Sequence, residues 1–196
     1  VKGYAEAGFS AVMIEDQISP KRCGHTKGKK VVSRDEALMR LRAAVDMAAE
    51  MRAVGRDILI LARTDARATH GFDEALARVR SFKEIGADIL FLEAPETEQE
   101  MAAFCAAAPG PKLANMVEEG KTPILPPARL QEIGYKIAAY PLTLLSASVK
   151  AMEGALDDLK AGTVPGGVKP FADLCETIGF DAYDAEAARY GKPDGD

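Results

Sequence analysis

Several residue types that mark common protein classes are scarce in this sequence. Its 196 residues include only two histidines and three cysteines, and no C-x-x-C pair occurs. A zinc site needs clustered histidine and cysteine ligands, so this composition argues against one. The cysteines are odd in number and far apart, which fits a reducing compartment and not a disulfide framework. We therefore expect a cytoplasmic protein.

Long apolar runs, basic stripes and nucleotide-binding motifs are also missing. No run approaches the roughly 20 residues of a membrane span, and nothing resembles a signal peptide, so we expect no membrane association. The net charge is -5 and no basic stripe occurs outside residues 21–30, which argues against a nucleic-acid partner. Neither G-x-G-x-x-G nor a P-loop occurs. An anionic small molecule is the ligand class that these exclusions leave.

A repeated βα pattern is what the sequence does contain. Apolar stretches rich in Ile and Leu end in polar residues and are followed by segments with helical spacing. The stretches are apolar throughout and do not alternate, which is typical of parallel strands buried on both faces. The predicted strands are residues 11–15, 58–63, 89–93 and 112–115, with 136–140 as a fifth.

Helix signals separate these strands. Ser33 and Glu36 form a capping box, Gly86 ends a second helix, and Thr97 caps a third whose Cys105 we expect in the core. A long amphipathic helix then ends near residue 162. We predict that residues 1–162 belong to one domain, and that residues 163–196 form a linker and a C-terminal helical extension.

The most informative segment is the run Pro20-Lys21-Arg22-Cys23-Gly24-His25. It places a thiol among basic side chains, and cationic neighbours favour the thiolate by direct charge attraction. Cys23 is therefore a candidate general acid or base. The glycines and lysines that follow predict a mobile active-site loop. The competing interpretation is a solvated basic loop with an incidental thiol.

Polar residues close the predicted strands, and in parallel βα folds ligands bind at the carboxyl ends of the strands. Any one of these residues has an ordinary interpretation as a helix cap or a salt-bridge partner. Together they supply a carboxylate clamp, metal-compatible oxygens, an orienting amide and a proton donor. The clamp is Arg63, the oxygens belong to Glu15 and Asp16, the amide is Asn115 and the proton donor is Cys23. Asp65, Glu93 and Thr122 lie near them in the sequence.

Five motifs together resemble the isocitrate lyase and phosphoenolpyruvate mutase superfamily, in its lyase branch. They are Ile14-Glu15-Asp16-Gln17, Lys21-Arg22-Cys23-Gly24-His25, Ala62-Arg63-Thr64-Asp65-Ala66, Leu92-Glu93-Ala94 and Ala114-Asn115-Met116, and the match runs from Gly8 to about Ala161. The resemblance implies a (β/α)₈ TIM-type barrel with helices swapped between subunits. It also implies a Mg²⁺-dependent carbon–carbon lyase similar to 2-methylisocitrate lyase or 2,3-dimethylmalate lyase.

Two departures from the superfamily pattern shape this expectation. A complete barrel has eight strands and we predict five, so this chain is expected to hold the C-terminal five strands of the α/β barrel. The D-A-D-x-G-Y-G segment, whose aspartates hold Mg²⁺ in the superfamily, does not occur. Residues 115–120 read N-M-V-E-E-G where 2-methylisocitrate lyases usually read N-I-T-E-F-G. Residues 115–120 are similar to the corresponding segment of the branch that cleaves dimethylmalate and related alkylmalates.

The resemblance implies a role for each matched residue. The expected reaction cleaves a 2-hydroxy di- or tricarboxylate to pyruvate or glyoxylate plus a second carboxylate, in a homo-tetramer or homodimer with swapped C-terminal helices. The catalytic residues would be Cys23, His25 and Arg63, the metal Mg²⁺ would be held by Glu15 and Asp16, and the substrate would be bound by Arg22, Gly24, His25, Arg63, Glu93, Asn115 and Thr122.

Three alternatives stay open. An oxaloacetate decarboxylase would use the same metal and arginine clamp without the thiol proton. A phosphonate mutase of the same superfamily is a second alternative. The third is a non-catalytic remnant that lacks the metal-binding strands.

Overall fold

The computed structural model describes residues 1–23 and 28–191, which fall into two compact units, Val1–Leu144 and Leu145–Asp196. The first unit contains five strands, and helix α1 precedes the first of them. In chain order the elements are α1 (Lys2–Glu6), β1 (Ala11–Glu15), α2 (Arg34–Ala53), β2 (Leu59–Thr64), α3 (Arg67–His70), α4 (Phe72–Ile85), β3 (Ile89–Leu92), α5 (Glu98–Ala107), β4 (Lys112–Asn115), α6 (Pro127–Ile133), β5 (Ile137–Ala139), α7 (Thr143–Lys160), α8 (Phe171–Ile178) and α9 (Phe180–Tyr190).

The five strands form one parallel sheet in the order β1-β2-β3-β4-β5. This confirms the predicted strands, two of them to the residue. The register pairs Glu15 with Arg63 and Asn115 with Ala139, and Glu93 N donates to Thr64 O at 3.0 Å. The carboxyl ends are therefore level, so the polar residues that close the strands share one edge of the sheet.

Both faces of the sheet carry apolar side chains, but they are buried to different extents. On one face the helices bury a large core that includes Leu41 of α2, Val79 of α4 and Phe104 of α5. On the other face Leu61, Ile89 and Phe91 form a smaller cluster. The two clusters hold the strand ends rigidly, which is what a site at those ends requires.

The predicted helix caps are confirmed. Ser33 Oγ accepts a hydrogen bond from Glu36 N at 3.2 Å, and Thr97 Oγ1 accepts one from Glu100 N at 3.1 Å. Gly86 ends α4 with φ +114°, a left-handed conformation that strains other residues. Cys105 is buried in the core as predicted, and burial raises the pKa of its thiol to about 11.

The second unit holds most of α7 together with α8 and α9. The division after Leu144 lies within the long helix and not at the predicted linker of residues 163–167. Within the described ranges, no helix is long and apolar enough to cross a bilayer. Many apolar side chains of these three helices are exposed, namely Leu145, Val149, Met152, Leu156, Leu159, Phe171, Leu174, Ile178 and Phe180.

Candidate active site

Arg63 lies at the centre of the polar edge, where β2 ends. Its Nε donates to Asp65 Oδ2 at 2.8 Å and its Nη2 donates to Asp65 Oδ1 at 3.1 Å. Two more carboxylates flank it: Glu93 Oε2 is 3.2 Å from Nη2, and Glu15 Oε2 is 3.5 Å from Nε. Underneath, its Cζ lies 5.0 Å from the centre of the Phe91 ring. Three strands and one aromatic ring thus fix the position of a single guanidinium.

The surroundings keep this guanidinium charged. Burial works against the charge of Arg63, but the hydrogen bond that Asp65 accepts and the charges of Glu93, Asp65 and Glu15 outweigh it and raise the arginine pKa above its usual value. The Nε–Nη2 edge of Arg63 faces Asp65, and Nη2 also contacts Glu93. Nη1 is therefore the nitrogen of Arg63 best placed to meet an anionic ligand.

Glu93 and Asn115 extend the row of polar residues to the third and fourth strands. Asn115 Nδ2 donates to Glu93 Oε1 at 3.2 Å, while the other oxygen of Glu93 faces Arg63. Glu93 thus links the arginine clamp to the amide. Thr122 is also buried, and its Oγ1 finds no hydrogen-bond partner among the residues that the structure describes. A buried hydroxyl of this kind is suited to a ligand oxygen.

Asp16, predicted as a metal ligand, is surrounded by hydrogen-bond donors. Its Oδ2 accepts from Thr64 Oγ1 at 2.6 Å and from Arg78 Nη1 at 3.0 Å, and its Oδ1 accepts from Asp65 N at 2.9 Å. Burial raises the carboxyl pKa, against the opposing effect of these donors. These hydrogen bonds give Asp16 a structural role that joins β1, β2 and α4. Metal ligation by Asp16 stays a prediction.

Glu15 is the better candidate to hold a cation. Its Oε1 lies 2.8 Å from Lys21 Nζ and its Oε2 lies 3.5 Å from Arg63 Nε, but the buried Oε2 accepts no hydrogen bond from the described residues. Mg²⁺ prefers such carboxylate oxygens and keeps several waters, so Glu15 fits the metal that the resemblance implies. Across residues 1–23 and 28–191, no three or more His, Cys, Asp or Glu side chains converge as a metal site. Glu15 would contribute one ligand to a larger set.

The basic loop begins beside this edge. Cys23 is exposed, and Arg22 and Lys21 precede it in the described part of the loop. Gly24 and His25, predicted to bind substrate, lie outside the described residues. On the returning side Lys29 is buried, and its Nζ is 3.5 Å from Asp65 Oδ1. The loop therefore leaves next to Glu15 and returns next to Asp65.

Arg78 and Lys29 are residues of this region that the sequence reasoning missed. Arg78 lies at the inward-facing spacing of α4, between Ala75 and Phe82, and is almost fully buried. A charged residue at an apolar position of a helix signals a buried ion pair, so that signal was available. Lys29 carries no such signal, because it stands in a run of basic residues that predicts a solvated segment.

Glu74 of α4 completes the ion-pair network behind Asp16. Arg78 Nε donates to Glu74 Oε1 at 2.9 Å and Arg34 Nε donates to the same oxygen at 3.1 Å. The hydrogen bond from Arg34 foremost, and that from Arg78, lower the Glu74 pKa to about 2, against the effect of burial. In the unfolded chain a glutamate has a pKa of about 4.3. Its contribution to stability is therefore present above pH 4.3 and is lost as the pH falls towards 2.

We expect Glu74→Gln to lower the free energy of unfolding by about 1–3 kcal/mol at pH 7, because the arginines lose their charged partner. The deficit should shrink between pH 4.3 and pH 2, where the parent protein also loses the carboxylate. Urea unfolding at pH 7, 4 and 2.5 measures this, with exposed Glu84→Gln on the same helix as the control. An equal deficit at all three pH values would contradict the assignment.

Comparisons with known proteins agree with this architecture. The family model of phosphoenolpyruvate phosphomutase matches residues 1–160. The chain is 45% identical over 168 residues to 2,3-dimethylmalate lyase of Eubacterium barkeri, covering 86% of this chain and 56% of that one. It is 38% identical over 196 residues to 2-methylisocitrate lyase of Aeropyrum pernix, covering 96% and 61% respectively.

A solved structure gives the same result for the fold. Oxaloacetate acetylhydrolase in complex with the inhibitor 3,3-difluorooxalacetate superposes with a TM-score of 0.83 at 36% identity, covering 98% of this chain and 65% of that one. The chain thus spans less than two thirds of the length of these relatives. The five-stranded parallel sheet is accordingly part of a TIM-type barrel, and the resemblance inferred from the motifs is confirmed. The chain belongs to the phosphoenolpyruvate phosphomutase family.

Proposed function

We propose that the protein containing this chain is a carbon–carbon lyase that cleaves a 2-hydroxy di- or tricarboxylate to a 2-oxo acid and a second carboxylate. The observation that carries the proposal is Arg63, a buried guanidinium held by carboxylates from three strand ends and placed beside the loop that contains Cys23. Such a cation at the carboxyl edge of a parallel sheet suits an anionic substrate.

Cleavage of such a substrate has three requirements. The hydroxyl must lose its proton, the carbon–carbon bond must break, and the electron pair left beside the second carboxylate must take up a proton. Arg63 would bind the carboxylate of the part that becomes pyruvate or glyoxylate. Cys23 would deliver the proton to the carbanion. Asn115 and the buried hydroxyl of Thr122 would hold the departing carboxylate.

Mg²⁺ would be held in part by Glu15, directly or through water, and when bound it supplies a Lewis acid for the oxygen that becomes the keto group. The metal proposal is supported by the buried Glu15 oxygen that accepts no hydrogen bond from the described residues. Glu93 would keep Arg63 and Asn115 at a fixed separation by contacting both. Arg22 and the undescribed Gly24 and His25 complete the proposed set.

Alkylmalates are the substrate class that we favour. The N-M-V-E-E-G segment of residues 115–120 supports this choice, as does the higher identity to a 2,3-dimethylmalate lyase than to a 2-methylisocitrate lyase. On 2,3-dimethylmalate the reaction would release pyruvate and propionate. The proton lost from the hydroxyl balances the proton gained at the new methylene carbon.

Oxaloacetate is the second candidate substrate, because an oxaloacetate acetylhydrolase superposes closely on this chain. Its decarboxylation to CO2 and pyruvate would need the same anion clamp. The pyruvate enolate that remains could take its proton from water, so this reaction would not require the Cys23 thiol.

An assay of product release tests the proposal. The full-length protein with Mg²⁺ is incubated with 2,3-dimethylmalate, 2-methylisocitrate and oxaloacetate, and pyruvate is followed with a coupled dehydrogenase. We expect pyruvate from the hydroxy acids, fastest from 2,3-dimethylmalate. Pyruvate from oxaloacetate alone would favour the decarboxylase, and no turnover of any of the three would favour the non-catalytic alternative.

The apolar side chains of α7, α8 and α9 support a proposal about assembly. Their exposed members, such as Leu145, Leu156 and Phe171, are more numerous than scattered surface positions explain. A second copy of the chain that exchanges these helices would cover them, giving a homodimer or homo-tetramer.

A further inference from the structure

Gln17 stands where the basic loop leaves β1 and where it returns. Its backbone pairs with Val31 in an isolated antiparallel bridge, so it marks the base of the loop. Its side chain is buried, with 5% of the residue exposed. A buried amide must find hydrogen-bond partners, and their identity shows what it holds.

Both polar atoms of the Gln17 carboxamide contact one residue. Gln17 Nε2 donates to Arg22 O at 3.0 Å, and Arg22 N donates to Gln17 Oε1 at 2.9 Å. A single planar side chain thus satisfies the donor and the acceptor of the Arg22 backbone, as a neighbouring strand would. The segment between the two residues is short, so this pair closes a tight ring of chain.

The carbonyl that Gln17 holds belongs to the peptide unit that joins Arg22 to Cys23. Because a peptide unit is planar, fixing this oxygen also fixes the direction in which the Cys23 backbone starts. The Arg22 side chain adds a second constraint. Its Nη1 would lie 3.2 Å from a Cβ placed on Gly28, whose φ is +81°, so it crosses to the returning arm.

The other contacts of the loop either hold its returning arm or are more exposed to solvent than the Gln17–Arg22 pair. Lys21 pairs with Glu15, but more than half of the lysine side chain is exposed, and such pairs contribute little. The returning arm is held separately, by Lys29 against Asp65 and by Val32 N donating to Asp16 O at 2.9 Å. On the outgoing arm, Gln17 makes partly buried hydrogen bonds next to the thiol.

We propose that Gln17 is a positioning residue for Cys23, acting through the Arg22–Cys23 peptide unit. This inference rests on the proposed function for its catalytic consequence, while the contact itself can be tested without activity. Gln17 would not touch the substrate. It would hold the proton donor at the distance and angle that proton transfer to the carbanion requires.

Gln17→Met tests the role, because methionine has a similar length and volume and makes neither hydrogen bond. We expect kcat to fall roughly tenfold, the size of losing two ordinary hydrogen bonds, while KM changes less than about twofold. Gln17→Glu keeps the acceptor for Arg22 N and loses the donor, so its kcat should lie between the parent and Gln17→Met. Gln99→Met, at an exposed position of α5, is the matched control and should leave kcat unchanged.

Hydrogen–deuterium exchange of the peptide spanning residues 18–23 provides the readout that is independent of turnover. We expect faster exchange in Gln17→Met than in the parent or in Gln99→Met, since Arg22 N loses its acceptor. Faster exchange with unchanged kcat would overturn the positioning role, and unchanged exchange would overturn the contact. Faster exchange in a protein whose parent form cleaves no substrate would overturn the proposed function, and the catalytic part of this inference with it.

Discussion

Cys23→Ser is expected to lower turnover of the hydroxy acid by about 100-fold or more while leaving substrate affinity nearly intact. The size follows from general acid catalysis, which typically contributes 10²–10⁴-fold. A serine hydroxyl has almost the size of the thiol but is a far weaker acid, so the substitution removes the proton and preserves the shape. Cys23 is exposed at the start of the loop, so its loss leaves no cavity.

The measurement separates binding from chemistry. Turnover is followed by pyruvate release, and the affinity for 2,3-dimethylmalate is measured by calorimetry with Cys23→Ser. Cys175→Ser, which changes a partly buried cysteine of the second unit, is the control and should keep the parent rate. Parent-like turnover in Cys23→Ser would remove this thiol from the mechanism.

The fold was predictable because its signals are local. An apolar stretch that does not alternate, followed by helical spacing, indicates a buried parallel strand wherever it occurs. Ser33 and Thr97 indicated where their helices begin, because each caps its helix through the residue three positions later. Strand ends were less certain: β2 runs one residue further than predicted and includes Thr64, because Glu93 N donates to the carbonyl of Thr64.

The candidate site was predictable as a set of residues but not as a set of contacts. Parallel strands bring their carboxyl ends together, so Glu15, Arg63, Glu93 and Asn115 were expected to be neighbours. Which oxygen faces which nitrogen depends on residues far apart in the chain. Asp16 shows this limit, because its hydrogen bond to Arg78 joins positions separated by 62 residues, and no local pattern records that pair.

Gln17 shows that the same limit applies to partners that are close in the chain. Its partner Arg22 is only five residues away, yet the pair depends on how the intervening chain turns back on itself. Hydrophobic periodicity does not describe such a segment. The sequence identified the motif to which Gln17 belongs, and the structure was needed to show which backbone atoms it contacts.

Arg63 is the residue whose removal should cost most stability. Arg63→Met leaves Asp65, Glu93 and Glu15 together without their shared cation, and the first two side chains are fully buried. Removing one partner from a buried ion pair typically costs about 3–5 kcal/mol, because the remaining charge stays desolvated. Arg63→Lys keeps one positive charge but loses the two parallel hydrogen bonds to Asp65, so it should retain more stability than Arg63→Met.

Urea unfolding at pH 7 tests this expectation, together with kcat/KM for 2,3-dimethylmalate. Arg63→Lys should fold but lose roughly 10³-fold in kcat/KM, since a compact ammonium cannot replace the planar guanidinium that faces the substrate carboxylate. Arg129→Met, which breaks exposed ion pairs with Glu98 and Glu132, is the control and should change stability by less than about 1 kcal/mol. If Arg63→Met were as stable as Arg129→Met, the carboxylates would not depend on this guanidinium, and the clamp at the centre of the proposed site would have to be assigned elsewhere.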